Sequence, residues 1–185
     1  MKTIPFVALA GAVLLAACKG FDPGRLIPGS APPRTEAYRA HSDEPITGAT
    51  IAIGPANSAR ASDPLVRAGV AAVGRELAAL GFTPVAGVGQ AQLLGSVDVS
   101  TGTASELVAN APAGLRTATT LPPGAPSTGL VVEIRRRSDA SLLWQGRAAT
   151  FRPPRNGDPA TLARPLAHAL FLGFPGQSGR TIRAP

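Results

Sequence analysis

Three arginines form the densest group of chemically capable residues in the sequence. Arg135, Arg137 and Arg147 fall on the two strands of a predicted hairpin, and strand alternation puts them on the face away from the core. Guanidinium groups in such positions can bind phosphate or carboxylate groups through two parallel hydrogen bonds. The other interpretation is that charges on an exposed strand only prevent edge-to-edge aggregation. The three residues are therefore a candidate patch for an anionic ligand.

Residues suited to catalysis or metal binding are sparse. The two histidines, His41 and His168, are far apart, and the single cysteine excludes an intrachain disulfide and a cysteine-based zinc site. The carboxylates show no paired spacing of the kind used in general acid–base catalysis. We expect no catalytic residue, no metal and no cofactor, and a protein that is not an enzyme. His168 and the single tryptophan, Trp144, are expected to be structural, with Trp144 anchoring the core.

The cysteine ends a segment that is typical of a processing signal. Lys2 precedes an uncharged apolar stretch, residues 4–15, which as a helix would be about 18 Å long and too short for the roughly 30 Å hydrocarbon layer. The stretch runs into Leu15-Ala16-Ala17-Cys18, which resembles the lipobox of bacterial lipoproteins. The alternative is a general secretory signal with an incidental cysteine.

The lipobox resemblance implies a specific modification and location. It implies cleavage before Cys18, a diacylglyceryl group on its sulfur and a further acyl chain such as palmitate, which together give stable membrane anchoring. The next residue is Lys19, and because an Asp there tends to retain proteobacterial lipoproteins at the inner membrane, Lys19 favours the outer membrane. We expect a periplasm-facing protein anchored to the lipid bilayer, with an inner-membrane anchor as the second choice and no nucleic-acid partner.

Length and composition predict one domain with much irregular chain. The 185 residues are 44% apolar and 16% charged, with 21 Gly, 19 Pro and a formal charge of +7. We divide the chain into a signal peptide (residues 1–17), the lipidated Cys18 with a flexible Pro/Gly-rich tether (residues 18–47), a domain (residues 48–176) and a loose tail (residues 177–185). A short strand over residues 36–41 is an open alternative within the tether.

Two amphipathic helices are predicted in the domain. Asp63-Pro64 begins the first, because a capping side chain followed by proline is a helix start, and apolar residues then recur at helical spacing to Leu80. Asp158-Pro159 begins the second, which extends to about Leu172, with Pro165 either kinking it or marking its start.

Alternating or β-branched residues predict the strands, which are residues 48–54, 82–85, 92–100, 130–137 and 142–151. Residues 101–128 form a long Thr/Pro-rich loop, for which we expect either disorder or a mobile functional loop. This order favours an α+β, two-layer domain with a mainly antiparallel sheet of four to five strands and two helices packed on one face.

The chain resembles the bacterial envelope lipoproteins of the domain of unknown function 4136 family. The likeness lies in Glu76-Leu77-Ala78-Ala79-Leu80-Gly81-Phe82, in the return strand Leu142-Leu143-Trp144-Gln145-Gly146-Arg147-Ala148, and in the closing helix that runs into Phe174-Pro175. It covers about residues 46–175. Ser141, where the family often has Gly, and the long Thr/Pro-rich loop depart from the pattern. The resemblance implies fold and location, and no agreed activity.

Taken together, the sequence favours a non-catalytic, membrane-anchored periplasmic lipoprotein that serves as a binding or structural module of the cell envelope. Its partner would be an envelope protein or an anionic polymer, and its oligomeric state is left open. The alternative is an accessory lipoprotein subunit of an envelope transport or assembly complex. An envelope hydrolase is the interpretation that the residues favour least.

Overall fold

The computed structural model describes residues 34–41, 48–116, 119, 121–151, 158–179 and 181–184. Residues Pro33–Pro185 form one compact unit. The strands are β1 (Arg34–His41), β2 (Thr50–Pro55), β3 (Thr83–Pro84), β4 (Leu93–Thr103), β5 (Pro126–Arg136), β6 (Leu142–Phe151) and β7 (Thr181–Ala184), and the helices are α1 (Pro64–Ala79), α2 (Ala104–Ala109) and α3 (Pro159–Phe171). The predicted signal peptide and Cys18 lie outside the described residues.

Within the described residues, the strands form one seven-stranded mixed sheet in the order β3-β2-β4-β5-β6-β1-β7. β2 pairs in parallel with β3 and β4. The helix α1 follows β2 and leads to β3, and so makes the crossover that a parallel pair requires. The other four pairings are antiparallel, and β5 and β6 form the predicted hairpin. The α+β class and the mainly antiparallel sheet are confirmed, while the predicted four to five strands are too few.

The helices α1 and α3 pack side by side on one face of the sheet, as predicted. Asp63 caps α1, and its side chain accepts a hydrogen bond from the Leu65 amide at 2.9 Å. The core beneath the helices joins residues of α1 and α3 to alternating residues of β4, β5 and β6. Its buried members include Val66, Val73, Leu77, Val97, Val99, Leu130, Val132, Ile134, Trp144, Leu166 and Leu170. Pro165 lies inside α3 and does not mark its start.

The predicted boundaries of the domain are wrong at both ends. β1 belongs to the sheet, although residues 34–41 fall in the predicted tether, and β7 pairs with β1, although residues 181–184 fall in the predicted loose tail. The short strand left open over residues 36–41 is therefore real. The local sequence gives little sign of this strand because Glu36 and Arg39 are charged, yet both are buried in the structure.

The described residues of the segment 101–128 form strands, helical turns and packed chain, so the expected disorder is wrong. β4 runs on to Thr103, whose side chain accepts from the Glu106 amide while Glu106 accepts from the Thr103 amide. This capping box begins α2. Leu107 of α2 packs close to Gly129 on the second face of the sheet, and Ala104, Leu107 and Leu121 form a small apolar cluster with Ala149 and Phe151. The second face is therefore partly covered, and the predicted two-layer arrangement is incomplete.

Candidate functional site

The three arginines of the predicted anionic-ligand patch lie in three different environments. Arg135 is partly exposed and donates to the Glu133 carboxylate at 3.1 Å and to the Ala140 carbonyl at 3.1 Å. Arg137 follows the end of β5 and donates from Nε to the Ala91 carbonyl at 2.6 Å. Both side chains already have structural partners: Arg135 is bonded to the hairpin turn, and Arg137 is bonded to the residue Ala91 before β4.

Arg147 is buried, so the prediction that it is exposed on the outer face is wrong. Its side chain is 2% exposed and lies 3.6 Å from the carboxylate of Glu36, which is 3% exposed. Neither Nη1 nor Nη2 has a hydrogen-bond partner among the described residues. Burial lowers the pKa of Arg147, and the negative charge of Glu36 opposes that shift.

The burial of Arg147 follows from the covered second face. Register places Arg147 opposite Val131 on one side and Tyr38 on the other, so it points away from the helices, as alternation predicts. The Thr119 hydroxyl donates to the carboxylate of Glu36, which brings the segment after α2 onto this part of the sheet. Alternation therefore predicts correctly which face of the sheet Arg147 lies on, but it does not predict that the segment after α2 covers that face.

A polar cleft with a volume of about 410 Å³ opens on the second face beside this buried pair. Its floor is made by alternate residues of β4 and β5, and its walls by the turn after β2 and the segment after α2. The lining residues are Ala56, Asn57, Arg60, Ser96, Asp98, Asn110, Pro112, Val131 and Glu133.

Each charged side chain that lines the cleft has an ion-pair partner. Arg60 donates to Asp98 at 2.7 Å and to Asp63 at 2.9 Å, and Glu133 accepts from Arg135. The hydrogen bond from Arg60 and the Leu65 amide lower the pKa of Asp63. Paired charges and exposed amides suit hydrogen bonding to a polar ligand better than proton transfer.

The groove between the helices α1 and α3 is another concave surface. It has a volume of about 370 Å³ and is lined by Ala72, Arg75, Glu76, Ala79, Arg164, Pro165 and His168. His168 is 66% exposed and its Nδ1 lies 3.5 Å from the Glu76 carboxylate, which agrees with the predicted surface histidine. Arg75 of α1 and Arg164 of α3 both line this groove.

Trp144 is a core residue, as predicted. It has no exposed surface, stacks on Phe171 with ring centroids 5.2 Å apart, and donates from Nε1 to the Pro175 carbonyl at 3.1 Å. These contacts fasten the chain after α3 to β6. Trp144 therefore offers no ring surface to a ligand.

Arg39 is a structural residue that the sequence did not reveal. Its guanidinium donates to the carbonyls of Leu170, Ala169 and Leu172 at 2.7 to 2.9 Å, and so caps the C-terminus of α3. Burial lowers the pKa of Arg39. Its position in a Pro/Gly-rich stretch gave no sign of this contact.

Two further observations concern the described residues only. No group of three or more His, Cys, Asp or Glu side chains is placed to hold a metal ion there. None of the helices described is long and apolar enough to cross a membrane.

Comparison with known proteins finds a similar fold and no sequence family. No protein-family model and no curated protein sequence matches the chain. A PDZ domain protein from Parabacteroides distasonis superposes with a TM-score of 0.51 at 10% identity, over 82% of this chain and 38% of that protein. This chain thus shares a fold with a part of that protein.

Two other solved structures match with lower scores. PelC from Paraburkholderia phytofirmans, solved as a dodecamer, has a TM-score of 0.44 at 13% identity, over 72% of this chain and 91% of PelC. A protein of the domain of unknown function 4136 family from Bacteroides thetaiotaomicron has a TM-score of 0.39 at 13% identity, over 72% of this chain and 90% of that protein. The resemblance of this sequence to that family stays a prediction.

Proposed function

We propose that this protein is a non-catalytic lipoprotein, anchored through Cys18 to the outer membrane and facing the periplasm. Its domain serves as a binding or structural module for an envelope protein or an anionic polymer. The observation that carries the proposal is the placement of the only cysteine at the end of Leu15-Ala16-Ala17-Cys18, directly after a short apolar stretch. A lipobox needs a cysteine sulfur at that position.

Two features of the domain support this proposal. The sequence has no thiol besides Cys18, so the domain is suited to an oxidising compartment. The cleft on the second face presents Asn57, Ser96 and Asn110 around charges that are already paired, which favours recognition of a polar partner over acid–base chemistry.

The test is the Cys18→Ser variant of the full chain, expressed in a Gram-negative bacterium and compared with the parent protein. We expect the parent to incorporate radiolabelled palmitate and to sediment with outer membranes. Cys18→Ser should incorporate no palmitate and should keep its leader. If Cys18→Ser is processed at the same bond and stays with the lipid fraction, the proposal is wrong.

Lys19→Asp is the matched control, because it changes the sorting position and leaves the lipidated sulfur in place. We expect Lys19→Asp to be labelled by palmitate to the same extent and to move towards the inner membrane. Unchanged outer-membrane sedimentation of Lys19→Asp would show that residue 19 does not decide the membrane, and it would leave the lipidation of Cys18 untouched.

A further inference from the structure

The arginines without partners are concentrated on the helices. Among the ten arginine side chains that the structure describes, seven have a hydrogen bond or an ion pair, and these are Arg39, Arg60, Arg116, Arg135, Arg136, Arg137 and Arg147. The other three, Arg67, Arg75 and Arg164, are exposed and have no such contact. All three belong to α1 or α3. The candidate anion-binding surface is therefore the helical layer and not the hairpin.

The helical layer carries few compensating charges. Within α1 and α3 the one acidic residue is Glu76, and it faces the imidazole of His168. Asp63 and Asp158 lie just before the two helices, and Asp63 is bound to Arg60. A free guanidinium on each side of the interhelical groove thus faces solvent with no anion of its own.

The three guanidiniums are spread over a surface and do not converge on a pocket. Arg67 and Arg75 are eight residues apart on α1, which is about 12 Å along the helix axis. Arg75 and Arg164 line the interhelical groove, whereas Arg67 lines a separate apolar depression with Val70 and Ala71. Such spacing suits an extended array of anions better than a single phosphate held by several groups.

We propose that the helical layer formed by α1 and α3 binds the surface of an anionic phospholipid bilayer, with Arg67, Arg75 and Arg164 contacting headgroup phosphates. The choice of a bilayer as the partner rests on the proposed membrane anchoring. Charge complementarity supports it, since basic groups near an anionic leaflet are attracted to it. Exposed Leu172, which follows α3 and is 43% exposed, adds an apolar side chain at the end of the same helix.

The test uses residues 33–185, because this compact unit contains the whole sheet, the three helices and the core, and lacks Cys18. Its binding to vesicles of phosphatidylcholine alone, or mixed with phosphatidylglycerol, is measured by co-sedimentation. We expect binding to the mixed vesicles only. Binding should weaken as salt rises from about 0.01 M to about 0.15 M, since the Debye length falls from about 30 Å to about 8 Å.

Two triple variants with equal charge loss locate the surface. Arg67→Gln/Arg75→Gln/Arg164→Gln should weaken the partition coefficient by about five-fold per arginine, which is on the order of 100-fold in total. Arg116→Gln/Arg135→Gln/Arg136→Gln removes the same charge from arginines that already have partners, and it should weaken binding far less. Circular dichroism checks that both variants are folded.

The results of the vesicle experiment test bilayer binding by the helical layer separately from the lipidation of Cys18. Equal losses in the two triple variants would show that net charge alone drives binding, and would overturn the assignment to the helices. No binding of the parent unit to phosphatidylglycerol vesicles at low salt would also overturn it. Neither result bears on Cys18, because the unit tested lacks that residue.

Discussion

The buried ion pair between Glu36 and Arg147 allows a prediction in which the two single changes have unequal effects. Glu36→Gln leaves a guanidinium that is 2% exposed without its counter-charge, and a guanidinium cannot lose its proton in a protein. Arg147→Met leaves a carboxylate, which can be neutralised by binding a proton. We therefore expect Glu36→Gln to be the more destabilising change.

The size of the effect follows from burial and from the missing hydrogen bonds. Removing one member of a buried pair costs about 3–5 kcal/mol, whereas replacing both by uncharged groups is often neutral. Because the two groups are 3.6 Å apart and Arg147 Nη1 and Nη2 have no hydrogen-bond partner in the described part of the chain, the pair itself contributes little beyond neutralisation. We expect about 3–5 kcal/mol for Glu36→Gln, about 1–3 kcal/mol for Arg147→Met, and no more than about 2 kcal/mol for the double variant.

The assay is urea denaturation at neutral pH followed by the fluorescence of Trp144, the only tryptophan and a core residue. Glu133→Gln is the control, because it breaks the more exposed pair with Arg135 and should cost no more than about 1 kcal/mol. If Glu36→Gln costs as little as Glu133→Gln, or if the two single changes are additive, then Arg147 reaches water and the reasoning is wrong.

Three further predictions concern the elements around the site. Gly176 and Gly179 both have φ of +78°, but a Cβ at Gly176 would collide with Arg39 while one at Gly179 meets nothing within 4 Å. Gly176→Ala should therefore lower the free energy of unfolding by about 1–3 kcal/mol more than Gly179→Ala, and equal losses in urea titrations would refute the clash with Arg39. Thr103→Ala should cost about 1 kcal/mol and speed amide exchange within α2, whereas unchanged exchange would show that the capping box is unimportant. Hydrogen bonds from Ser141 and Arg136 lower the pKa of Asp139 to about 2, so its contribution to stability is present above about pH 4 and is lost as pH falls towards 2. Asp139→Asn should therefore lower the melting temperature at pH 7 and leave it nearly unchanged at pH 2, and an equal effect at both values would contradict the assignment.

The helical layer could be predicted from the sequence because its signals are local. Asp63 followed by proline begins α1, and residues such as Val66, Val73 and Leu77 recur at helical spacing, so the buried side follows from periodicity. The buried alternation of β4 was predicted for the same reason.

The strand β1 and the cover of the second face could not be predicted in this way. Arg39 is buried because its partners are carbonyls about 130 residues away in sequence, and Glu36 is buried because Arg147 and Thr119 reach it. Charged residues in a Pro-rich stretch therefore gave no local sign of a strand. Tertiary pairing decides their burial.

The exposure and pairing of the arginines could not be predicted from local sequence either. Alternation predicted that Arg147 faces away from the helices α1 and α3, but its exposure depends on the cover that α2 and Thr119 give to the second face. Whether an arginine is free or paired also depends on distant residues, so Arg75 and Arg164 could not be distinguished by sequence context from Arg137, whose partner is the carbonyl of Ala91. The structure separates them by their partners.

The central claim is that the protein is held at the membrane by a lipid on Cys18, and the mass of the N-terminal peptide tests it most directly. The protein is purified from the membrane fraction and digested, and that peptide is measured by mass spectrometry. We predict a peptide that begins at Cys18 and carries a diacylglyceryl group on the sulfur. A peptide that retains residues 1–17, or that begins elsewhere with an unmodified Cys18 thiol, would contradict the claim.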